Sequence, residues 1–152
     1  MRTVTVTQRF EGSVPEAEAR WYDVAGWPRW VDECDRVLEV SGDWPNVGAK
    51  VIWESGPAGR GRVTEEVVEY EPRRGQTVEV QDGSIRGRQT VAFTPEPPGV
   101  QVAFSLAYQI QRRSLITPVV DLLFIRRPMS MSLERTVTHF GVGLQAASPA
   151  SP

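Results

Sequence analysis

From about residue 36 to 111 the chain consists of six short segments in which apolar and polar residues alternate, each ended by a cluster of turn formers. The segments read "RVLEVSG", "AKVIWES", "RVTEEVVEYE", "TVEVQD", "RGRQTVAFTP" and "VQVAFSLAYQI"; between them stand "GDWPNVG", "GPAGRG", "PRRG", "DG" and "PEPPG". Alternation of period two marks a strand with one buried face. Gly, Pro, Asn and Asp supply the backbone angles of tight turns. Connections this short cannot hold a crossover helix, so neighbouring strands run antiparallel. The last segment is the clearest: Val102, Phe104, Leu106, Tyr108 and Ile110 point one way, and Gln101, Ala103, Ser105, Ala107 and Gln109 the other. Residues 2–11, "RTVTVTQRFE", add a seventh strand with Val4, Val6 and Phe10 on its apolar side.

Two short helices are expected after that first strand. Ser13 can cap "VPEAEARWYDVAG", with Pro15 in the first turn, acids following and Gly26 at the end. Pro28 suits the start of a second helix carrying Trp30, Val31 and Cys34. Past residue 116 the period changes. Thr117 can cap, Pro118 fits the first turn, and Val119, Leu122, Leu123, Leu133, Val137, Phe140 and Leu144 fall near one helical face. Pro128 lies inside this pattern, and the reading preferred is one long helix kinked there. The fold class is therefore α+β. A seven-stranded antiparallel sheet with one apolar face and a long C-terminal helix with one apolar stripe each need the other. A strongly twisted sheet of this size curls around the helix, the short helices close one end, and room for a cavity remains between. The expectation is a single domain over residues 1–145 and a disordered tail, "AASPASP", over 146–152.

The totals exclude several functions. A net charge of -2 gives no bulk field for nucleic acid or an anionic membrane. One cysteine, Cys34, permits no intrachain disulfide and no thiolate cluster, and no set of metal ligands is found; neither a metal nor a cofactor is expected. The opening "MRTVTVTQRFEGS" is not a signal peptide, and no run reaches the roughly 18 apolar residues of a membrane helix. Cytoplasmic is the default location.

The order of elements resembles the helix-grip fold of the START/polyketide cyclase–dehydrase superfamily, also called SRPBCC, which includes the birch-pollen-allergen-like proteins. The resemblance covers residues 2 to about 145. It is carried by "WPRW" after the first helix, "NVGAKV" entering the third strand, "VVEYEP" closing the fourth, "VAFTP" in the sixth and "LERTVTHF" in the last helix. The resemblance implies a hydrophobic small molecule, lipid- or polyketide-like, in a central cavity, either carried or cyclised and dehydrated. The chain departs from the best-known aromatic polyketide cyclases: the fourth strand, "RVTEEVVEY", does not show their Arg-plus-Tyr pattern. With one Cys and one His it is excluded from the oxygenase branch.

Strand parity picks the residues that face the cavity. They are Trp53 in the third strand, Glu66 and Tyr70 in the fourth, Gln89 and Phe93 in the sixth, and Phe104 and Tyr108 in the seventh. Leu122 and Met129 join from the last helix, and Trp30 from the cavity mouth. Trp27 reads as core. Each assignment depends on register, because a slip of one residue flips the set. For Glu66 the alternatives are an inner carboxylate readied for proton transfer by lost hydration, or a side chain turned to solvent by twist or by a bulge, the adjacent "EE" making a one-position slip easy. Tyr70 and Tyr108 can offer hydroxyls to a ligand or pack in the core. His139 is suited to acid–base work near neutral pH, but a surface position is the commoner one. Glu66, Tyr108 and His139 are the catalytic candidates.

"LITPVVDLLFI" (115–125) is apolar nearly all round and needs a second partner. A lid over the cavity or a homodimer contact is preferred to a lipid surface. Three functions stand: a binding protein for a hydrophobic small molecule, a cyclase, aromatase or dehydratase using the same cavity, and an interaction module with a vestigial cavity.

Overall fold

A computed structural model describes residues 2–56, 61–110 and 127–147. Strand β1 (Arg2–Glu11) is followed by helix α1 (Val14–Tyr22), a single 3-10 turn (Val24–Gly26) and helix α2 (Trp27–Trp30). Strands β2 (Cys34–Ser41), β3 (Lys50–Ser55), β4 (Arg62–Glu71), β5 (Gly75–Gln81), β6 (Ile85–Glu96) and β7 (Gly99–Ile110) follow, and helix α3 (Arg127–Ala147) comes last. The seven strands form one antiparallel sheet in the order β1-β7-β6-β5-β4-β3-β2. Every expected strand is present. Consecutive strands from β2 to β7 are neighbours, as their short turns require, and β1 closes onto β7.

α1 begins where its sequence says it should. Ser13 Oγ accepts the Glu16 amide at 3.2 Å and donates to the Glu16 carboxylate at 3.0 Å, with Pro15 in the first turn. α3 lays Leu133, Val137, Phe140 and Leu144 into the sheet, all buried. It takes in Ala146 and Ala147, which the composition alone assigns to the tail. Pro128 is the second residue of α3, so the kink expected there, which needs helix on both sides, and the apolar run 115–125, with its lid or dimer contact, turn on residues 111–126, which lie outside the described residues.

Inward parity holds on most strands. Val4, Val6 and Phe10 of β1, Val51 and Trp53 of β3, Val91 and Phe93 of β6, and Val102, Phe104, Leu106 and Tyr108 of β7 are all buried. β4 departs from it. Val67 pairs with Val78, but the next pair is Glu69 with Thr77, so Val68 is an extra residue in the ladder. Such a bulge reverses the alternation. On one side of it Val63, Glu65 and Val67 face inward; on the other, Tyr70 does. Counting back from Tyr70 without the bulge lands on Glu66. Glu66 is in fact exposed on the outer face, and the inward carboxylate is Glu65.

Candidate functional site

Between the sheet and α3 lies a cavity walled by rings. Trp21 from α1, Trp27 and Trp30 from α2, Trp53 from β3 and Phe104 from β7 line it, with Val78, Val91 and Leu106 between them. The rings are close-packed. Trp21 stands 4.9 Å from Trp30, 5.0 Å from Phe104 and 5.1 Å from Phe140, centroid to centroid. That stacking leaves a cavity volume of only about 40 Å³. A water needs roughly 10–15 Å³ of such space, so the interior as it stands holds a few waters. The room expected between sheet and helix exists, but the aromatic side chains that were to wall it also fill most of it.

Among the described residues, one charged group lies deep inside the cavity. Glu65, 5% exposed, accepts a hydrogen bond from Trp53 Nε1 at 2.6 Å and one from Gln89 Nε2 at 3.4 Å. Cys34 lies near it. Burial, joined by the charges of Glu65 and Asp35, pushes the Cys34 thiol up to about 12, so at neutral pH it is an inert, buried thiol.

At the mouth, the loop after α2 is fastened to α3. Ser132 Oγ donates to Asp32 Oδ2 at 2.7 Å, Arg135 donates to both Asp32 oxygens at 3.0 and 3.1 Å, and the Asp32 amide donates to Thr136 Oγ1 at 2.9 Å. Asp32, Ser132 and Thr136 all line the cavity. Burial raises the Asp32 pKa, but the hydrogen bonds from Arg135 and Ser132, with the charges of Arg135 and His139, outweigh it and hold the carboxyl below its ordinary value. A group whose pKa is depressed by folding stabilises the fold above its unfolded pKa and ceases to as pH falls through the folded one. Asp32→Asn is therefore expected to melt below the wild type at pH 7, with the gap closing as pH falls below the ordinary aspartate range. A gap of constant size across that range, in thermal melts, would remove the clamp from the account.

Half of the ten positions expected to face the cavity line it: Trp30, Trp53, Gln89, Phe104 and Met129. Phe93 and Tyr108 are core instead: Phe93 packs on the Trp21 and Tyr22 rings, Tyr108 is wholly buried, and neither reaches the cavity. Tyr70, half-buried, stands edge-on to Tyr22 at 5.6 Å and borders a separate surface groove. Glu66 faces away, His139 is exposed on α3, and Leu122 lies outside the described residues. Trp27 serves as both core and wall. Glu65, Gln76 and the Asp32–Ser132–Thr136 group were not anticipated. The bulge hid Glu65, and nothing local in the sequence marks a contact 100 residues long such as Asp32 to Ser132.

No set of three or more His, Cys, Asp or Glu able to hold a metal is found among the described residues. No helix among them is long and apolar enough to cross a membrane.

A curled antiparallel sheet gripping a C-terminal helix over an aromatic-walled interior defines the helix-grip class. The chain's own pattern places it more narrowly: a family model for polyketide cyclase / dehydrase and lipid transport matches residues 1–141, and the protein belongs to that family. Solved structures agree on the fold. A protein of Thermus thermophilus superposes with a TM-score of 0.77 at 18% identity, over 97% of this chain and 100% of that one. A START superfamily protein from Mycobacterium smegmatis gives 0.74 at 13%, over 96% and 99%. Norcoclaurine synthase from Thalictrum flavum, in complex with dopamine and hydroxybenzaldehyde, gives 0.71 at 12%, over 99% and 89%. No functionally curated protein matches in sequence.

Proposed function

We propose that the protein binds a hydrophobic small molecule, lipid- or polyketide-like, in the cavity between the sheet and α3, and that it does so in the cytoplasm without a nucleic-acid partner. The observation that carries this is the wall itself. Four of the five tryptophans converge on one interior space that also holds a carboxylate, an arrangement of apolar surface with a few placed polar groups that suits ligand binding. Family membership supports it, as does a structure of this fold that holds small aromatic compounds.

Typical ligand sites span roughly 300–1,000 Å³, so a ligand has to part the rings. The place for that is the mouth, where the loop after α2 is held to α3 through Asp32. Releasing that loop frees Trp30 and Val31 on one side and Met129 on the other, all of which line the cavity.

The test is titration with N-phenyl-1-naphthylamine, an uncharged aromatic probe, followed by energy transfer from the wall tryptophans. Saturable binding at one equivalent per chain is expected. Native mass spectrometry of gently purified protein is expected to find a co-purified apolar compound. Absence of saturable binding up to the probe's solubility, with no compound retained, would overturn the proposal.

A second reading, a cyclase, aromatase or dehydratase, is favoured by one observation: a buried carboxylate, Glu65, bordering the space where a reactive chain would sit. It predicts turnover that Glu65→Gln removes while binding persists.

A further inference from the structure

One side of α3 is built to hold a carboxylate, and the protein fills it with a carboxylate of its own. Ser132 Oγ donates to Asp32 Oδ2 at 2.7 Å, and Arg135 donates through Nε to Oδ1 at 3.0 Å and through Nη2 to Oδ2 at 3.1 Å. The guanidinium thus meets both oxygens in the fork geometry that recognises a carboxylate. His139, on the next turn of α3, favours the charged form of Asp32 as well. This cradle stands on the edge of the cavity. Ser132 lines it, Met129 and Leu133 on the same helix continue the lining, and Trp30 and Val31 join from the α2 side. The occupant is delivered from elsewhere. Asp32 belongs to the loop after α2, and its side chain is 14% exposed beside an Arg135 that is 46% exposed, so water can receive it. The loop is a turn closed by the Cys34 amide on the Val31 carbonyl at 3.1 Å, with Glu33 at φ 66. A residue with a Cβ holds that left-handed conformation at a cost, so the loop is strained while Asp32 fills the cradle.

We propose that Asp32 holds the place of a ligand's carboxylate: the molecule that enters is an apolar acid, whose carboxylate displaces Asp32 from Ser132 and Arg135 while its apolar body passes between Met129, Leu133 and Trp30 into the cavity. This rests on the cavity being the ligand site, and it goes beyond that by naming the head group and its seat. Exchanging one carboxylate for another leaves the pairing nearly unchanged. The direction of the exchange is then set by burial of the apolar body and by relief of the strained loop. The same exchange opens the mouth. Asp32 fastens the loop to α3 through its side chain and through its amide bond to Thr136. A ligand that takes its place in the cradle releases the loop and gains the room that the closed cavity lacks. A neutral ligand has to break the fastening without replacing it, so it has no such preference for the open form.

The experiment uses the full chain and two probes that share one ring system, 1-naphthaleneacetate and 2-(1-naphthyl)ethanol, with affinities measured by calorimetry at pH 7. The readout is the ratio of acetate to alcohol affinity, because a change that merely loosens the mouth moves both probes alike. Asp32→Ala removes the internal competitor from the cradle, and the ratio is expected to rise about tenfold. Adding Arg135→Gln to that variant takes away the guanidinium and is expected to return the ratio to the wild-type value or below. Both substitutions break the same ion pair, so a purely structural clamp would have them act alike; here they act in opposite directions. A ratio that Asp32→Ala leaves unchanged would overturn this inference, with alcohol binding still supporting the cavity as a general apolar site. A rise that persists in the double variant would overturn it too, since lost negative charge at the mouth would then account for it. Failure of both probes to bind any form would overturn the ligand-site reading and this inference with it. Should Asp32→Ala not fold, Asp32→Asn, which keeps the shape and loses the charge, takes its place with an expected rise of about threefold.

Discussion

Gly141→Ala should lower stability by about 2–3 kcal/mol, one of the larger losses a single methyl group can cause in this protein. Gly141 is buried where α3 crosses β1, and a Cβ there would fall within the ring of Phe10. That ring cannot swing aside. Phe10 is itself buried, and its face is fixed edge-on to Phe140 at 6.1 Å. The methyl group would therefore lift the helix from the strand and loosen the packing of Val137, Phe140 and Leu144 behind it. Alanine's better helix propensity returns about 1 kcal/mol at most. Gly143→Ala is the control. There the new methyl meets the guanidinium of Arg20, the far end of a long side chain. Arg20 would give up its bond to the Phe140 carbonyl (3.0 Å) and its position over the Trp30 and Phe140 rings, but it can move. The expected loss is under about 1 kcal/mol, since gained helix propensity offsets most of it. In thermal melts the first variant should drop by about 5–10 °C and the second by far less. If the two variants melt together, the close approach of α3 to β1 does not hold the sheet and helix as described.

That contact also shows where sequence reading succeeds and where it stops. The sheet was legible because its signals are local and repeated: a period of two along each strand, a Gly- or Pro-rich turn after it, and spacings too short for anything but antiparallel neighbours. The stripe of Leu133, Val137, Phe140 and Leu144 was legible for the same reason, with a period of 3.6. Gly141 and Gly143 carry no comparable signal, since what they accommodate, Phe10 and Arg20, is more than 100 positions away. The lining of the cavity was legible by half. Trp53, Gln89 and Phe104 follow from strand parity, Trp30 and Met129 from the helices that carry them, and all five line the cavity. Glu65 did not follow, because a bulge at Val68 costs no special residue type and yet turns over every side chain before it. An inner carboxylate was one of two readings of Glu66, the other being a side chain turned to solvent by twist or a bulge; Glu66 faces out and Glu65, one position earlier, faces in. The size of the cavity was beyond reach altogether. Apolar parity says which rings point inward and not how closely they stack.

Arg73→Ala should cost about 2–3 kcal/mol, although Arg73 is a surface residue, because its partner is not. Glu18 on α1 is 4% exposed, and its two oxygens are satisfied by a single residue of the β4–β5 turn. Arg73 N–H donates to Oε2 at 2.7 Å and Nη1 to Oε1 at 2.6 Å. A pair between two exposed groups would be worth little. Here truncation at Arg73 leaves a buried carboxylate with its backbone donor and no counter-charge, which is the expensive case. The turn carries a cost that Arg73 and an alanine there share and a glycine escapes. Arg73 has φ 68, a left-handed conformation that aims its amide at Glu18, and a residue with a Cβ pays roughly 1 kcal/mol to hold it. Arg73→Gly loses the same guanidinium but holds that conformation freely, so it should retain about 1 kcal/mol more stability than Arg73→Ala. Urea denaturation of the two variants separates the effects: the shared loss measures the ion pair, and the difference measures the backbone. Losses within about 0.5 kcal/mol of wild type for both would make the pair an ordinary surface contact. Equal losses would mean that the amide bond to Glu18 does not depend on the left-handed turn. The expected outcome makes this turn the clasp that holds α1, and with it Trp21 of the cavity wall, against the sheet.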